Sequence, residues 1–265
     1  MKILISNDDG VYANGINVLA SVLSKDNEVY VAAPDKERSA AGHSLTLNMP
    51  LRVDSMSTFA NVKKRWAISG TPSDCVKLTV AAIMEEDEKP DIIISGINHG
   101  QNLGSDILYS GTVSCAMEGA MIGIPSIAVS LASGNFEKED FRFSAEFISS
   151  LIKKLQDKNY KFPKKTILNI NIPAIPEDDI VGVKITKLGD KMFTDDYEKR
   201  VDPRGKVYYW LAGTLINDNI EAKSDFEAIK NNYISITPVT YEMTRNDAMN
   251  ELNSLLCDDN SCEWL

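Results

Sequence analysis

Two kinds of hydrophobic spacing alternate over the first two thirds of the chain. Short, largely apolar runs occur at Ile3-Leu4-Ile5, Val29 to Ala33, Ile92 to Ile94 and Ser126 to Val129, and Ile167 to Ile172, broken by Asn169 and Asn171, closes the set. Such runs predict strands buried on both faces. Between them the apolar residues recur at helical spacing. Ile16, Leu19, Ala20 and Leu23 share one face, as do Phe147, Ile148, Leu151, Ile152 and Leu155, and Gly111 to Ile122 also reads as a helix. Thr71-Pro72-Ser73-Asp74 is a helix start, with a capping threonine, proline in the first turn and a carboxylate three residues on; that helix is expected to reach about Met84. Alternating buried strands and helices predict an α/β fold of three layers, a mostly parallel sheet with helices on both faces, over residues 1–173.

The pattern changes after residue 173. Val181 to Thr186, Val207 to Leu211 and Tyr233 to Thr237 look like strands joined by polar, turn-rich stretches, and Asp247 to Leu256 is amphipathic. Residues 174–265 therefore read as a strand-rich C-terminal arm of mixed α+β character, with its final strand and helix packing back on the core. The whole length of 265 residues suits one α/β domain with such an appendage. A formal net charge of -10 argues against a nucleic-acid polymer as partner. Small phosphorylated substrates stay open, because a bound divalent cation reverses the local field. Cys75 and Cys115 lie in apolar helical patterns and read as core residues; Cys257 and Cys262 could pair, but nothing else indicates an oxidising compartment. No run is long enough to span a membrane, and Met1 to Ile5 meets two aspartates at once, unlike a signal peptide; a cytoplasmic location is expected.

Ligands of open parallel sheets bind beyond the carboxyl ends of the strands. Asp8 and Asp9 follow the first strand directly. Adjacent carboxylates repel, and a hard divalent cation would relieve that; an Asx turn ending at Gly10 is the alternative. Asn98 follows the Ile92 strand among Gly96, Gly100, Gly104 and Asn102. It could offer oxygen to a metal or its amide to phosphate, or simply serve a glycine-rich turn. Ser110 is a candidate N-cap, and the Gly111 and Thr112 amides could hold an anion or merely begin a helix. His43 and His99 are the only histidines and are not assigned as ligands. A dinucleotide fingerprint, a P-loop and a nucleophile elbow are all missing.

Read together, these segments closely resemble the SurE family, the survival-protein nucleotidases. The resemblance is carried by Ile5 to Gly10, Ala33-Pro34-Asp35 with Arg38-Ser39, Gly70 to Val76, Ser95 to Asn98 with Asn102, Gly104 and Asp106, and Tyr109 to Val113 with Glu118-Gly119. Asn169 to Pro173, Asp202 to Gly205 and Ile234 to Pro238 extend it. It implies a Rossmann-like core and one divalent ion per subunit, Mn²⁺ or Mg²⁺ or another, on Asp8, Asp9, Ser39 and Asn98. It implies hydrolysis of nucleoside 5′- and 3′-monophosphates, with short polyphosphate as a further substrate. Asp8, Asp9 and Asn98 would be the catalytic residues, while Asn102, Ser110, Gly111 and Thr112 would face the substrate. It also implies a homodimer or homotetramer that exchanges C-terminal elements. The stretch Ala40 to Ser44 departs from the family pattern. A broader sugar-phosphate phosphatase, a phosphodiesterase and a non-catalytic nucleotide-binding module are the rival readings.

Overall fold

The computed structural model describes residues 1–132, 141–190, 196–213 and 220–256; Cys257 and Cys262 lie outside them. The strands are β1 (Lys2–Ser6), β2 (Glu28–Pro34), β3 (Val53–Ser55), β4 (Lys64–Ile68), β5 (Ile92–His99), β6 (Ser126–Ala132), β7 (Thr166–Pro173), β8 (Gly182–Ile185), β9 (Tyr197–Val201), β10 (Val207–Leu211) and β11 (Tyr233–Thr240). The helices are α1 (Asn14–Leu23), α2 (Pro72–Leu78), α3 (Gly111–Met121), α4 (Arg142–Asp157), α5 (Asp225–Lys230) and α6 (Asn246–Leu256). Nine strands form one sheet in the order β3-β4-β2-β1-β5-β6-β7-β11-β8. From β4 to β7 all neighbours are parallel. The expected α/β architecture is therefore present.

The alternation of side chains sorts each strand between two helical layers. Ile3, Ile5, Val29, Val31, Ile92 and Ile94 pack with Ile16, Leu19 and Leu23 of α1 and with Ala145, Ile148 and Ile152 of α4. On the other face Leu4, Tyr30 and Ile93 meet Cys75 and Val76 of α2 and Cys115 of α3. Both cysteines are buried thiols, as expected of core residues.

Some elements differ from the sequence expectation. The helix expected to reach Met84 is α-helical only to Leu78 and continues as a π-helical turn over Thr79–Ile83. Its N-terminus has the expected capping box, with the Thr71 hydroxyl accepting from the Asp74 amide and the Asp74 carboxylate accepting from Thr71. β3, β4 and β9 were not anticipated. β11 enters the main sheet antiparallel to β7 and carries β8 on its other edge. β9 and β10 make a separate antiparallel ribbon.

Candidate active site

β1 ends at Ser6, and the next residues turn sharply. The Asn7 side chain accepts from the Gly10 amide and donates to the Gly10 carbonyl, both at 3.1 Å. This Asx turn is a frame that fixes the two aspartates between its ends. The turn reading and the ligand reading of Asp8-Asp9 are thus compatible. The Arg38 amide donates to the Asp8 carbonyl at 2.7 Å, which brings the segment after β2 alongside.

Asn98 was expected in a loop but occupies the end of β5. Between the pairs Ser95–Ala128 and Asn98–Ser130, β5 advances three residues while β6 advances two. That bulge re-aims the strand end. Gly96 has φ of +135°, and a Cβ there would lie 2.4 Å from the Val129 carbonyl oxygen. Only glycine allows the approach. The Asn98 amide nitrogen donates to the Gly100 carbonyl at 2.8 Å. Its Oδ1 therefore lies on the opposite side of the amide, 3.3 Å from the Thr112 hydroxyl.

The Thr112 hydroxyl is central. It donates to Asp8 Oδ1 at 2.5 Å, so one hydroxyl spans Asp8 and Asn98. Asp8 packs on the first turn of α3: a Cβ at Gly111 would lie 2.6 Å from Asp8 Cβ and 2.7 Å from Oδ2. Asp8 is only 5% exposed. Burial raises its carboxyl above the usual aspartate range, and hydrogen bonds from the Thr112 hydroxyl and the Thr112 and Gly111 amides oppose that rise. Among the described residues no cationic side chain pairs with Asp8. Asp9 is half-buried and accepts from the His99 amide at 3.3 Å.

Asp8, Asp9, Asn98 and Thr112 are therefore brought together. Ser39 is joined to them only through its neighbour's backbone; it is exposed, and its hydroxyl donates to Glu37 at 2.6 Å. Ser110 is the N-cap of α3 and accepts from the Val113 amide. Asn102 is enclosed in a network. Its side chain donates to Ser130 Oγ, its amide donates to Asn171, and its carbonyl accepts from Asn169 and Asn171. The Thr112 hydroxyl was not anticipated, because a helix start marks its free amides in the sequence and not the side chain that reaches back to the preceding strands. The asparagine cluster had a signal: Asn169 and Asn171 are two apart in a buried strand and so share a face.

The donor set consists of oxygens, from two carboxylates and one neutral amide, and one of the carboxylates is buried with no cationic partner among the described residues. That composition fits a hard divalent cation. Among the described residues no group of three or more His, Cys, Asp or Glu converges, so a cation here would rest on amide and hydroxyl oxygens as well as the two carboxylates.

Comparison with known proteins agrees with this architecture. Residues 3–195 match the model of the family described as survival protein SurE. The chain is 51% identical over 262 residues to a protein named 5′-nucleotidase SurE from Thermosynechococcus vestitus, covering 97% of each. It is 46% identical to one of the same name from Natranaerobius thermophilus, over 98% of this chain and 100% of that one. The crystal structure of the SurE protein from Aquifex aeolicus superposes with a TM-score of 0.82 at 40% identity, over 96% of this chain and 98% of that one. By sequence over nearly its whole length and by fold, the chain belongs to the SurE family.

Proposed function

We propose that this protein is a divalent-metal-dependent phosphatase that hydrolyses nucleoside 5′- and 3′-monophosphates to nucleoside and phosphate, with short polyphosphate as a further substrate. The observation that carries the reading is the buried Asp8 carboxylate, linked to Asn98 through Thr112 where β1, β5 and α3 meet. The names of the relatives point to the same class of reaction.

Asp8, Asp9 and Asn98 would hold the ion, Mn²⁺ or Mg²⁺, with Ser39 as a fourth ligand once its hydroxyl leaves Glu37. The ion supplies Lewis acidity toward a phosphoryl oxygen and a lowered pKa for a nearby water. The protein's own part is to hold the donors in place. Thr112 and the first turn of α3 orient Asp8 and favour its ionised form against the effect of burial. The Gly100 carbonyl fixes which end of the Asn98 amide faces Asp8. Asp8 or Asp9 would also take a proton from an attacking water, with Asp9 favoured as the less buried of the two. Ser110, Gly111, Thr112 and Asn102 were expected to face the substrate. Their polar groups are engaged within the protein, so in this reading they form the substrate-side wall by positioning Asp8 and the loop after Asn98.

Homodimer or homotetramer formation is part of the proposal. On the β9–β10 ribbon Tyr197, Tyr209, Trp210 and Leu211 are all exposed, which supports a role for the ribbon in covering another subunit. No described helix is long and apolar enough to cross a membrane.

The test is a panel of nucleoside 5′- and 3′-monophosphates, sugar phosphates, diesters and polyphosphate, with and without Mn²⁺. Release of phosphate from the monophosphates only with metal, lost in Asp8→Ala and Asn98→Ala, is expected. Full activity in either variant, or nucleotide binding without phosphate release by the wild type, would sink the proposal.

A further inference from the structure

The loop from His99 to Tyr109 joins the two elements that carry the site, the end of β5 and the start of α3. Its position therefore decides how Asn98 and Thr112 face each other. One side of the loop is fixed by the asparagine cluster around Asn102. The other side is held by a residue distant in sequence. Asp225, the first residue of α5, is fully buried. Its Oδ2 accepts from the Gly104 amide at 2.8 Å, and its Oδ1 accepts from the amides of Gly189 and Phe226, each at 2.9 Å. Gly104 lies six residues after Asn98 and six before Ser110.

The packing around this carboxylate is close. Gly104 has φ of +51°, and a Cβ there would lie 2.6 Å from both the Gly189 carbonyl oxygen and the Phe226 ring. A Cβ at Gly189 would also meet that ring at 2.6 Å. Asp225 is also tied through its backbone to the segment after β8. Its amide donates to the Lys187 carbonyl at 2.9 Å, and Lys187 donates to Lys223 at 3.1 Å. Among the described residues no cationic side chain pairs with Asp225, and its carboxylate is spent on backbone amides alone.

We propose that Asp225 is a positioning residue of the active site: a buried carboxylate that clasps Gly104 to Gly189 and the start of α5 and so fixes the loop joining Asn98 to Thr112. The chemistry requires a carboxylate. Two acceptor oxygens serve three amides, whereas asparagine has one acceptor and would present N–H groups to either Gly104 or Gly189. The inference rests on the proposed reading of the site, in that Asn98 and Thr112 must need a fixed relation for turnover.

The experiment compares the full-length wild type with Asp225→Asn by amide hydrogen exchange, Mn²⁺ calorimetry and steady-state kinetics. Exchange over residues 99–109 is expected to quicken about tenfold or more, with β1 and β2 unchanged. Weaker Mn²⁺ binding is expected too, and kcat falls about tenfold while KM stays within about threefold. A residue that served only global stability would leave kcat of the folded fraction at the wild-type value. Unchanged loop exchange, or quickened exchange with wild-type kcat, overturns the proposal. Should Asp225→Asn fail to fold, Phe226→Leu keeps the carboxylate but thins the ring on Gly104. It must move exchange and kcat in the same direction, and wild-type values in both overturn the proposal. A wild type without Mn²⁺-dependent hydrolysis overturns the reading of the site instead. The exchange comparison then decides the clasp alone: a quickened loop supports it and an unchanged one refutes it.

Discussion

Thr112→Val exchanges a hydroxyl for a methyl in a fully buried position and so isolates one interaction. The hydroxyl donates to Asp8 at 2.5 Å and lies 3.3 Å from the Asn98 oxygen. A hydrogen bond to an ionised carboxylate is worth about 1.5–3 kcal/mol. At about 1.4 kcal/mol per decade, its loss should lower kcat/KM by roughly 10- to 150-fold. The Thr112 hydroxyl is also the largest influence opposing the effect of burial on Asp8. Removing it leaves Asp8 harder to ionise, so half-activation should need more Mn²⁺. Thr112→Ser keeps the hydroxyl and should recover most of the activity. The assay is phosphate release from a nucleoside monophosphate across an Mn²⁺ titration, with thermal unfolding as the control. Activity within about twofold of wild type in Thr112→Val would falsify the central role given to this hydroxyl.

Gly111→Ala would place a methyl 2.6 Å from Asp8 Cβ. It should cost about a hundredfold in kcat by displacing Asp8, although alanine is the better helix former by about 1 kcal/mol; undiminished turnover would refute the tight contact. Glu118 is buried and accepts from His43 at 3.0 Å and Lys77 at 2.6 Å. The His43 hydrogen bond first, then Lys77, holds its carboxyl below the usual glutamate range. Its contribution to stability is therefore complete above that range and lost as the pH falls through the depressed value. Glu118→Gln should lower the unfolding free energy by about 1–3 kcal/mol at neutral pH, with the gap to wild type closing in acid; a gap that widens in acid contradicts this. Trp210→Glu puts charge on the exposed ribbon and should move the sedimentation profile toward smaller species, whereas an unchanged profile would remove the ribbon from the subunit interface.

The parts of the fold that could be read from the sequence are those where burial leaves a repeating mark. β1, β2, β5 and β6 are largely apolar runs buried on both faces, β7 is apolar on one face with Asn169 and Asn171 on the other, and α1 and α4 show one apolar stripe. β3 and β9 leave no such mark. Val53-Asp54-Ser55 is an exposed edge of three residues, and Tyr197 to Val201 reads Tyr-Glu-Lys-Arg-Val because every residue is exposed. The candidate site divides in the same way. Asp8 and Asp9 were visible because they follow a buried strand without a linker. Asn98 was visible as a residue but not as part of a strand, since the bulge at Gly96 depends on how close Val129 comes from the next strand. Ser39 entered only through the family resemblance, and its hydroxyl is engaged with Glu37.

Distance along the chain hides the rest. Asp225 lies 121 residues beyond Gly104, and no local pattern announces that a carboxylate at the start of a six-residue helix serves a loop on another element. Asp8 and Asp225 nonetheless share one physical logic. Each is a buried carboxylate without a cationic partner among the described residues, and each meets backbone amides at the start of a helix. Their difference lies in what remains after those amides are counted. Asp225 gives both oxygens to backbone N–H groups, so its charge is spent on structure. Asp8 stands next to a second carboxylate, Asp9, and shares the Thr112 hydroxyl with an amide oxygen from another strand. In a chain of net charge -10, a divalent cation there would relieve the repulsion between the two carboxylates. The same ion would then make an acidic surface acceptable to a phosphate monoester.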